Sequence, residues 1–250
     1  MNERIAVVTG GARGIGRAIV EKLNRDGLAV ALLDLPAMQP AAMAAEIAGP
    51  GCPRVIGLPC DIVDRAQVSA TIQTVRQQLG RIDVLVNNAG ICPGKDILEM
   101  DEATFRRTID VNLVGAFHIT QAVARIMIEQ ARGGRIVFIT SLSVNVTSRF
   151  QVDYAASKAG LHMLMRGFAV ALAEHRITCN AIAPGVVDTA MANGWWQKPE
   201  GQAFLQQRVP LRRAAQPADI AQAVAMLAAA ECEYVTGASL TVDGGLTASS

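Results

Sequence analysis

Short apolar runs alternate along the chain with stretches in which apolar positions recur every three or four residues. Residues 5–9 and 29–34 are the first two strand candidates, and between them Ile15, Ile19, Val20 and Leu23 repeat at helical spacing over 14–26. The alternation predicts further strands at 54–60, 84–87, 135–141, 177–183 and 239–242. Helices are predicted at 66–79, 105–132, 154–175 and 218–229. Runs such as Val84-Leu85-Val86 show no polar alternation, as in strands buried on both faces. The pattern predicts an α/β fold, a doubly wound parallel sheet of about seven strands with helices on both faces and right-handed crossovers. No linker, charge block or repeat interrupts residues 1–250, so a single domain is expected. The rhythm breaks at 188–210, longer than an ordinary loop and holding Trp195 and Trp196.

Composition narrows the function classes. At 51% apolar and 18% charged, 250 residues bury a substantial core. A formal net charge of +1 with no basic block argues against nucleic-acid or anionic-membrane partners. The first residues carry no long apolar stretch of the signal-peptide kind, and no uncharged apolar run reaches the roughly 18 residues of a membrane span. Five cysteines (Cys52, Cys60, Cys92, Cys179, Cys232), without a CxxC, read as reduced thiols of a cytoplasmic protein. His118, His162 and His175 lie apart in predicted helices and there is no HExxH, so no metal site is expected. Ser141 has no GxSxG around it, which argues against a hydrolase nucleophile.

Two stretches carry chemistry. The first is Thr9-Gly10-Gly11-Ala12-Arg13-Gly14-Ile15-Gly16, between the first strand and the first helix. Glycines there let the backbone turn sharply and approach a pyrophosphate at the helix N-terminus. The spacing is GxxxGxG rather than GxGxxG, so position carries the reading more than the motif does. Asp34 follows Gly16 by eighteen residues, close to where a carboxylate accepts the adenosine ribose hydroxyls. That acid favours NAD over NADP through like-charge repulsion of a 2′-phosphate, whereas Arg13 is placed to pair with such a phosphate. We take NAD as the expected cofactor, with NADP possible. The second stretch is Tyr154-Ala-Ala-Ser-Lys158. Four residues is about one helical turn, so Tyr154 and Lys158 share a helix face, and an ammonium beside a phenol is expected to lower its pKa toward the working range.

Together with Asp61, Asn87-Asn88-Ala89-Gly90, Asn112, Ser141 and Pro184-Gly185…Thr189, these stretches stand in the order and spacing of the short-chain dehydrogenase/reductase family. The resemblance runs from Ile5 to Val242-Asp243-Gly244-Gly245 and implies a Rossmann-like fold and hydride transfer between a nicotinamide cofactor and an alcohol or carbonyl. It implies that Tyr154 is the general acid or base, that Lys158 bonds the nicotinamide ribose and keeps the phenol acidic, and that Ser141 holds the substrate oxygen. Asn112 would anchor a water linking Lys158 to solvent. Gly10, Arg13, Gly14, Ile15, Gly16 and Asp34 would hold the adenosine and pyrophosphate, with Asp61 and Ile62 at the adenine. Asn88, Ala89 and Gly90 would line the cofactor, and Pro184, Gly185, Val187 and Thr189 would hold its carboxamide end. The stretch 188–210 resembles the family's substrate lid.

Ser143 and its polar neighbours Asn145 and Ser148 point to a sugar, polyol or other polar hydroxy compound. The look of 87–93 and 208–212 is similar to sugar 1-dehydrogenases, and 3-oxoacyl-carrier-protein reductases share much of it. A cofactor-binding regulator without turnover is the reading from another class, and the presence of Ser141, Tyr154 and Lys158 argues against it. Arg149 reads either as an anion-recognising residue or as a solvated loop arginine, and Trp195-Trp196 either cap the pocket or pack a subunit contact. The resemblance further implies a homotetramer in which the helices at 105–132 and 154–175 pair across a two-fold axis, with Met165 expected on the outward face.

Overall fold

Seven strands pair in parallel in the order β3-β2-β1-β4-β5-β6-β7, as the computed structural model, which describes residues 3–49, 51–192 and 194–248, shows. They are β1 (Ile5–Thr9), β2 (Ala29–Asp34), β3 (Val55–Pro59), β4 (Val84–Asn87), β5 (Gly134–Ile139), β6 (Ile177–Pro184) and β7 (Ser239–Val242). The chain winds outward one way from β1 through β3, then crosses back to β4 and winds the other way. This reversal puts the C-terminal ends of β1 and β4 side by side, where open α/β sheets bind ligands.

Two apolar layers clamp the sheet. On one face α1 (Gly14–Arg25) and α8 (Pro217–Ala228) cover Val8, Val30, Val86 and Ile182. On the other, α3 (Arg65–Leu79), α5 (Ala116–Gln130) and α6 (Val152–Leu172) cover Val7, Leu85, Ile136 and Phe138. Strand residues alternate between these layers, which is why β1, β4, β5 and β6 are buried along their whole length. A third, separate cluster joins Leu205, Val209 and Ala214 with Trp196 and Phe204.

Three departures from the sequence pattern have physical reasons. The helix expected at 105–132 is α4 (Glu102–Ile109), a π-helical turn (Asp110–Gly115) and α5, run together. A π turn inserts a residue without interrupting the apolar stripe, so periodicity does not reveal it. The whole run Glu102–Gln130 is long and apolar enough to cross a membrane by length and composition, but its stripe of Ile119, Val123 and Met127 lies against the sheet. An unforeseen α2 (Pro40–Ile47) follows β2; it is rich in alanine, and of its residues Pro40 and Ala44 are the buried ones. The lid stretch is not a plain loop either, since it contains α7 (Pro199–Arg208). Gly201 on α7 sits so close to the Trp195 carbonyl that an added Cβ would lie 2.2 Å from its oxygen.

Candidate active site

The glycine turn leaves β1 at Gly10, whose φ of +63° suits glycine. A Cβ on Gly16 would lie 2.0 Å from the Gly10 carbonyl oxygen, so only glycine lets α1 start this close to the strand it follows. The first turn of α1 holds no acid, and its N-cap, Arg13, makes no side-chain cap. By contrast Asp64 caps α3 and Asp101 caps α4. The free N–H groups and positive end of α1 are therefore left for an anion. Ile15 is half-buried behind them and Arg13 is exposed.

Asp34 ends β2, and its Oδ2 accepts from Ala12 N at 3.0 Å while Oδ1 accepts from Leu35 N at 2.8 Å. The carboxylate thus braces the glycine turn and keeps further lone pairs for two ribose hydroxyls. Across the crevice, Asn88 Nδ2 donates to the carbonyls of Thr9 and Gly10, both at 3.0 Å. Thr9 Oγ1 accepts from Asn88 N and Ala89 N, stitching the ends of β1 and β4 together. Thr9 is a structural pin whose role the sequence pattern did not single out. Asp61 Oδ1 accepts from Val63 N, shaping the turn after β3, and Ile62 is buried against Gly115 of the π turn.

Pro184 closes β6, Gly185 N donates to Val242 O, and Val187 bridges to Ala215. Thr189, at the end of that turn, reaches Gly14: its Cγ2 lies 3.6 Å from where a Gly14 Cβ would be. The two halves of the doubly wound sheet therefore meet over the start of α1.

The trio Ser141, Tyr154 and Lys158 converges where β5 ends and α6 begins. Ser141 Oγ accepts from Ser143 N at 3.1 Å and lies 3.2 Å from Ser143 Oγ, to which it donates. Tyr154 is hydrogen-bonded to Ser141, and Lys158 Nζ stands 5.6 Å from the centre of its ring. Lys158 is buried and donates to Ile139 O at 2.8 Å. Burial pulls its pKa down to about 8, and the neighbouring Cys92 works in the other direction.

The phenol does not behave as its sequence neighbourhood suggests. Burial pushes Tyr154 up to about 12, and its hydrogen bond with Ser141 only partly offsets this. Lys158 directs a hydrogen bond to the Ile139 carbonyl rather than to the phenol. Cys92 also acts on this pair; it is tied to Gln151 and the Gly94 N–H, and burial raises its thiol.

Asn112 lies fully buried in the π turn. Its carboxamide exchanges hydrogen bonds with Ile91, Nδ2 to O at 2.9 Å and N to Oδ1 at 2.8 Å, and Nδ2 also donates to Ser157 Oγ. A Cβ on Gly90 would lie 3.2 Å from Asn112 Oδ1 and 3.4 Å from Lys158 Nζ, so this glycine keeps a gap open beside both.

Free N–H groups at α1, an acid at β2 and a gap beside Lys158 fit a nicotinamide dinucleotide laid across the strand ends. The structure does not bring all the candidate substrate residues together. Ser143 is in the trio's hydrogen-bond shell, whereas Arg149 is ion-paired with Asp96 and stacked over Phe150 at 5.5 Å. Trp195 meets Phe204 edge-on at 5.4 Å and is partly exposed, while Trp196 packs inward on the lid's own cluster.

Residues 10–247 match a sequence family described as enoyl-(acyl carrier protein) reductase. The chain is 38% identical over 248 residues to an L-rhamnose 1-dehydrogenase (NAD(P)(+)) of Azotobacter vinelandii, covering 98% of this chain and 96% of that protein. It is 35% identical over 244 residues to the 3-oxoacyl-[acyl-carrier-protein] reductase MabA of Mycobacterium tuberculosis, covering 97% and 92%. The crystal structure of a gluconate 5-dehydrogenase from Burkholderia cenocepacia in complex with NADP and tartrate superposes with a TM-score of 0.94 at 32% identity, covering 100% of this chain and 97% of that one.

Proposed function

Since the chain belongs to the short-chain dehydrogenase/reductase family and is an oxidoreductase of CH–OH groups using a nicotinamide cofactor, we propose that it oxidises a sugar with NAD as the preferred acceptor. The carrying observation is the corner at Ser141, where two serine hydroxyls and the tyrosine hydroxyl converge. Such a corner suits a substrate with adjacent hydroxyls better than one with a lone carbonyl. The relationship to an L-rhamnose 1-dehydrogenase supports the same class.

Bound NAD supplies the hydride acceptor. The chain's own residues orient the substrate and manage its proton. Ser141 turns its hydroxyl from Ser143 to the substrate oxygen, Tyr154 Oη takes the hydroxyl proton, and the charged Lys158 favours the phenolate. In carbonyl reduction Tyr154 Oη returns that proton. Glycines 10, 14 and 16, with Arg13 and Ile15, hold the pyrophosphate end; Asp34 holds the adenosine ribose, and Asp61 and Ile62 border the adenine. Asn88, Ala89 and Gly90 line the nicotinamide half, with Pro184, Gly185, Val187 and Thr189 at its carboxamide, Lys158 at its ribose and Asn112 on the proton path.

A second reading, reduction of a 3-oxoacyl group, is favoured by the relationship to MabA and by exposed apolar residues, Leu98, Val146 and Phe150 outside the lid stretch and Met191 within it. Absorbance at 340 nm with a panel of aldoses, polyols and a 3-oxoacyl thioester separates the two. NADH formation with L-rhamnose or a related aldose is expected; activity confined to the thioester overturns the sugar reading.

We further place the enzyme in the cytoplasm, consistent with its five free cysteines. A homotetramer is supported by the uncovered outer side of β7 and by Met163 and Val170, which are 60% and 82% exposed on α6. The stretch 188–210 serves as the substrate lid, with Trp195 partly exposed on it. Arg149 would reach an anionic substrate group only by leaving Asp96.

A further inference from the structure

Ser157 sits between the catalytic tyrosine and the catalytic lysine and is fully buried. Its Oγ donates to the Tyr154 carbonyl at 2.7 Å and accepts from Asn112 Nδ2 at 2.9 Å. A hydroxyl has one proton, so once that proton is given to Tyr154 O, Ser157 offers Asn112 only lone pairs. The partner must then be the amide nitrogen. Asn112 spends its second N–H on Ile91 O and accepts from Ile91 N through Oδ1. Both amide protons are thus committed, and the remaining lone pair of Oδ1 is left for the gap beside Gly90, which Lys158 Nζ also borders.

We propose that Ser157 is a positioning residue for the reaction: it orients the Asn112 carboxamide so that an acceptor oxygen faces Lys158, and ties that orientation to the backbone of Tyr154. Two features make the tie consequential. Asn112 lies in a π turn, a conformation that leaves backbone groups shifted from their usual partners and that recurs at functional sites. The other anchor, Ile91, belongs to an irregular segment rather than a helix. Among the described residues the Asn112–Ser157 bond therefore ties the π turn by a hydrogen bond to α6, the element carrying both catalytic side chains, beside the packing of Leu113 against Gly160. An oxygen facing Lys158 favours its charged form, and through that charge the phenolate of Tyr154.

The inference rests on the dehydrogenase reading but not on the sugar, so the test uses whichever alcohol the wild type oxidises. Ser157→Ala is expected to lower kcat about tenfold with little change in the KM for the cofactor, the pattern of a lost contribution to the chemical step. The acid limb of its pH profile should move upward, as it should in Asn112→Ala. In the Asn112→Ala background, adding Ser157→Ala should cost less than about twofold, because the second residue acts only through the first. Equal losses in both backgrounds, an unmoved acid limb, or a kcat within about twofold of wild type overturns the proposal. If Ser157→Ala does not fold, the isosteric pair Ser157→Thr and Ser157→Val makes the comparison at constant shape. The threonine variant should be several-fold faster, and equal rates overturn the proposal.

Discussion

At the scale of single residues, the site is a set of groups held away from their solution behaviour. Lys158, drawn down to about 8, binds its proton more weakly folded than unfolded. Below about pH 8 the folded chain bears the cost of burying the charge; between there and the unfolded value of 10.5 the unfolded state holds more proton, so stability rises with pH. Wild type should therefore gain stability relative to Lys158→Met across that window, by at most about 1.4 kcal/mol per pH unit. Paired denaturant titrations at several pH values check this, and parallel curves would contradict the buried charge. Tyr154, pushed the other way, weakens the fold only as pH rises through 10 to 12. Tyr154→Phe keeps the ring and removes the proton carrier, so kcat should fall on the order of 10²–10⁴ with NADH binding retained. Turnover above a tenth of wild type would sink the assignment. The trio was legible because its spacing and chemistry recur together in one family. The direction of the Tyr154 shift was not, since it follows from burial first and from the neighbouring Cys92. Ser157 was equally silent, an ordinary serine in an alanine-rich turn.

Among the elements, the start of α1 shows what strand–helix contact demands. Gly16→Ala places a methyl against the Gly10 carbonyl, a backbone group that cannot rotate aside. A shift of the turn by about 1 Å should cost on the order of 10²-fold in kcat/KM for NAD. Normal kcat/KM would show that the turn tolerates the displacement. Asp34, at the end of β2, is the residue we propose favours NAD: Asp34→Ala should narrow the NAD-over-NADP ratio, and wild type preferring NADP would make Arg13 the governing residue. The seven strands were legible from their unbroken Val/Ile/Leu runs, which two-sided burial requires. The π turn and α2 were hidden for opposite reasons. One leaves the apolar stripe intact; the other buries too little to show a stripe at all.

For the molecule as a whole, assembly is decided by the faces the two layers leave bare. Met165 is not on the outward face as the periodicity suggested; it is 0% exposed and belongs to the layer under β5 and β6. The exposed large apolar residues on α6 are Met163 and Val170, with Gly167 between them, where an added Cβ would meet nothing within 4 Å. Helix α6 is apolar on more than one side, and such a pattern does not say which residue falls on which side. Val170→Glu should split the proposed tetramer and lower activity with it, as read by sedimentation alongside turnover. A wild type that sediments as a 26.4 kDa monomer would remove the interface altogether. The lid's separate apolar cluster has a consequence for how such enzymes diversify. Leu205, Val209 and Ala214 satisfy one another and Trp196 without drawing on either layer that clamps the sheet. Residues 196–209 complete that cluster only with Val186, Ala214 and Leu246 from outside the 188–210 stretch, so an exchange of the stretch must keep those three partners. With them kept, the stretch can vary while the sheet and its two layers stay fixed.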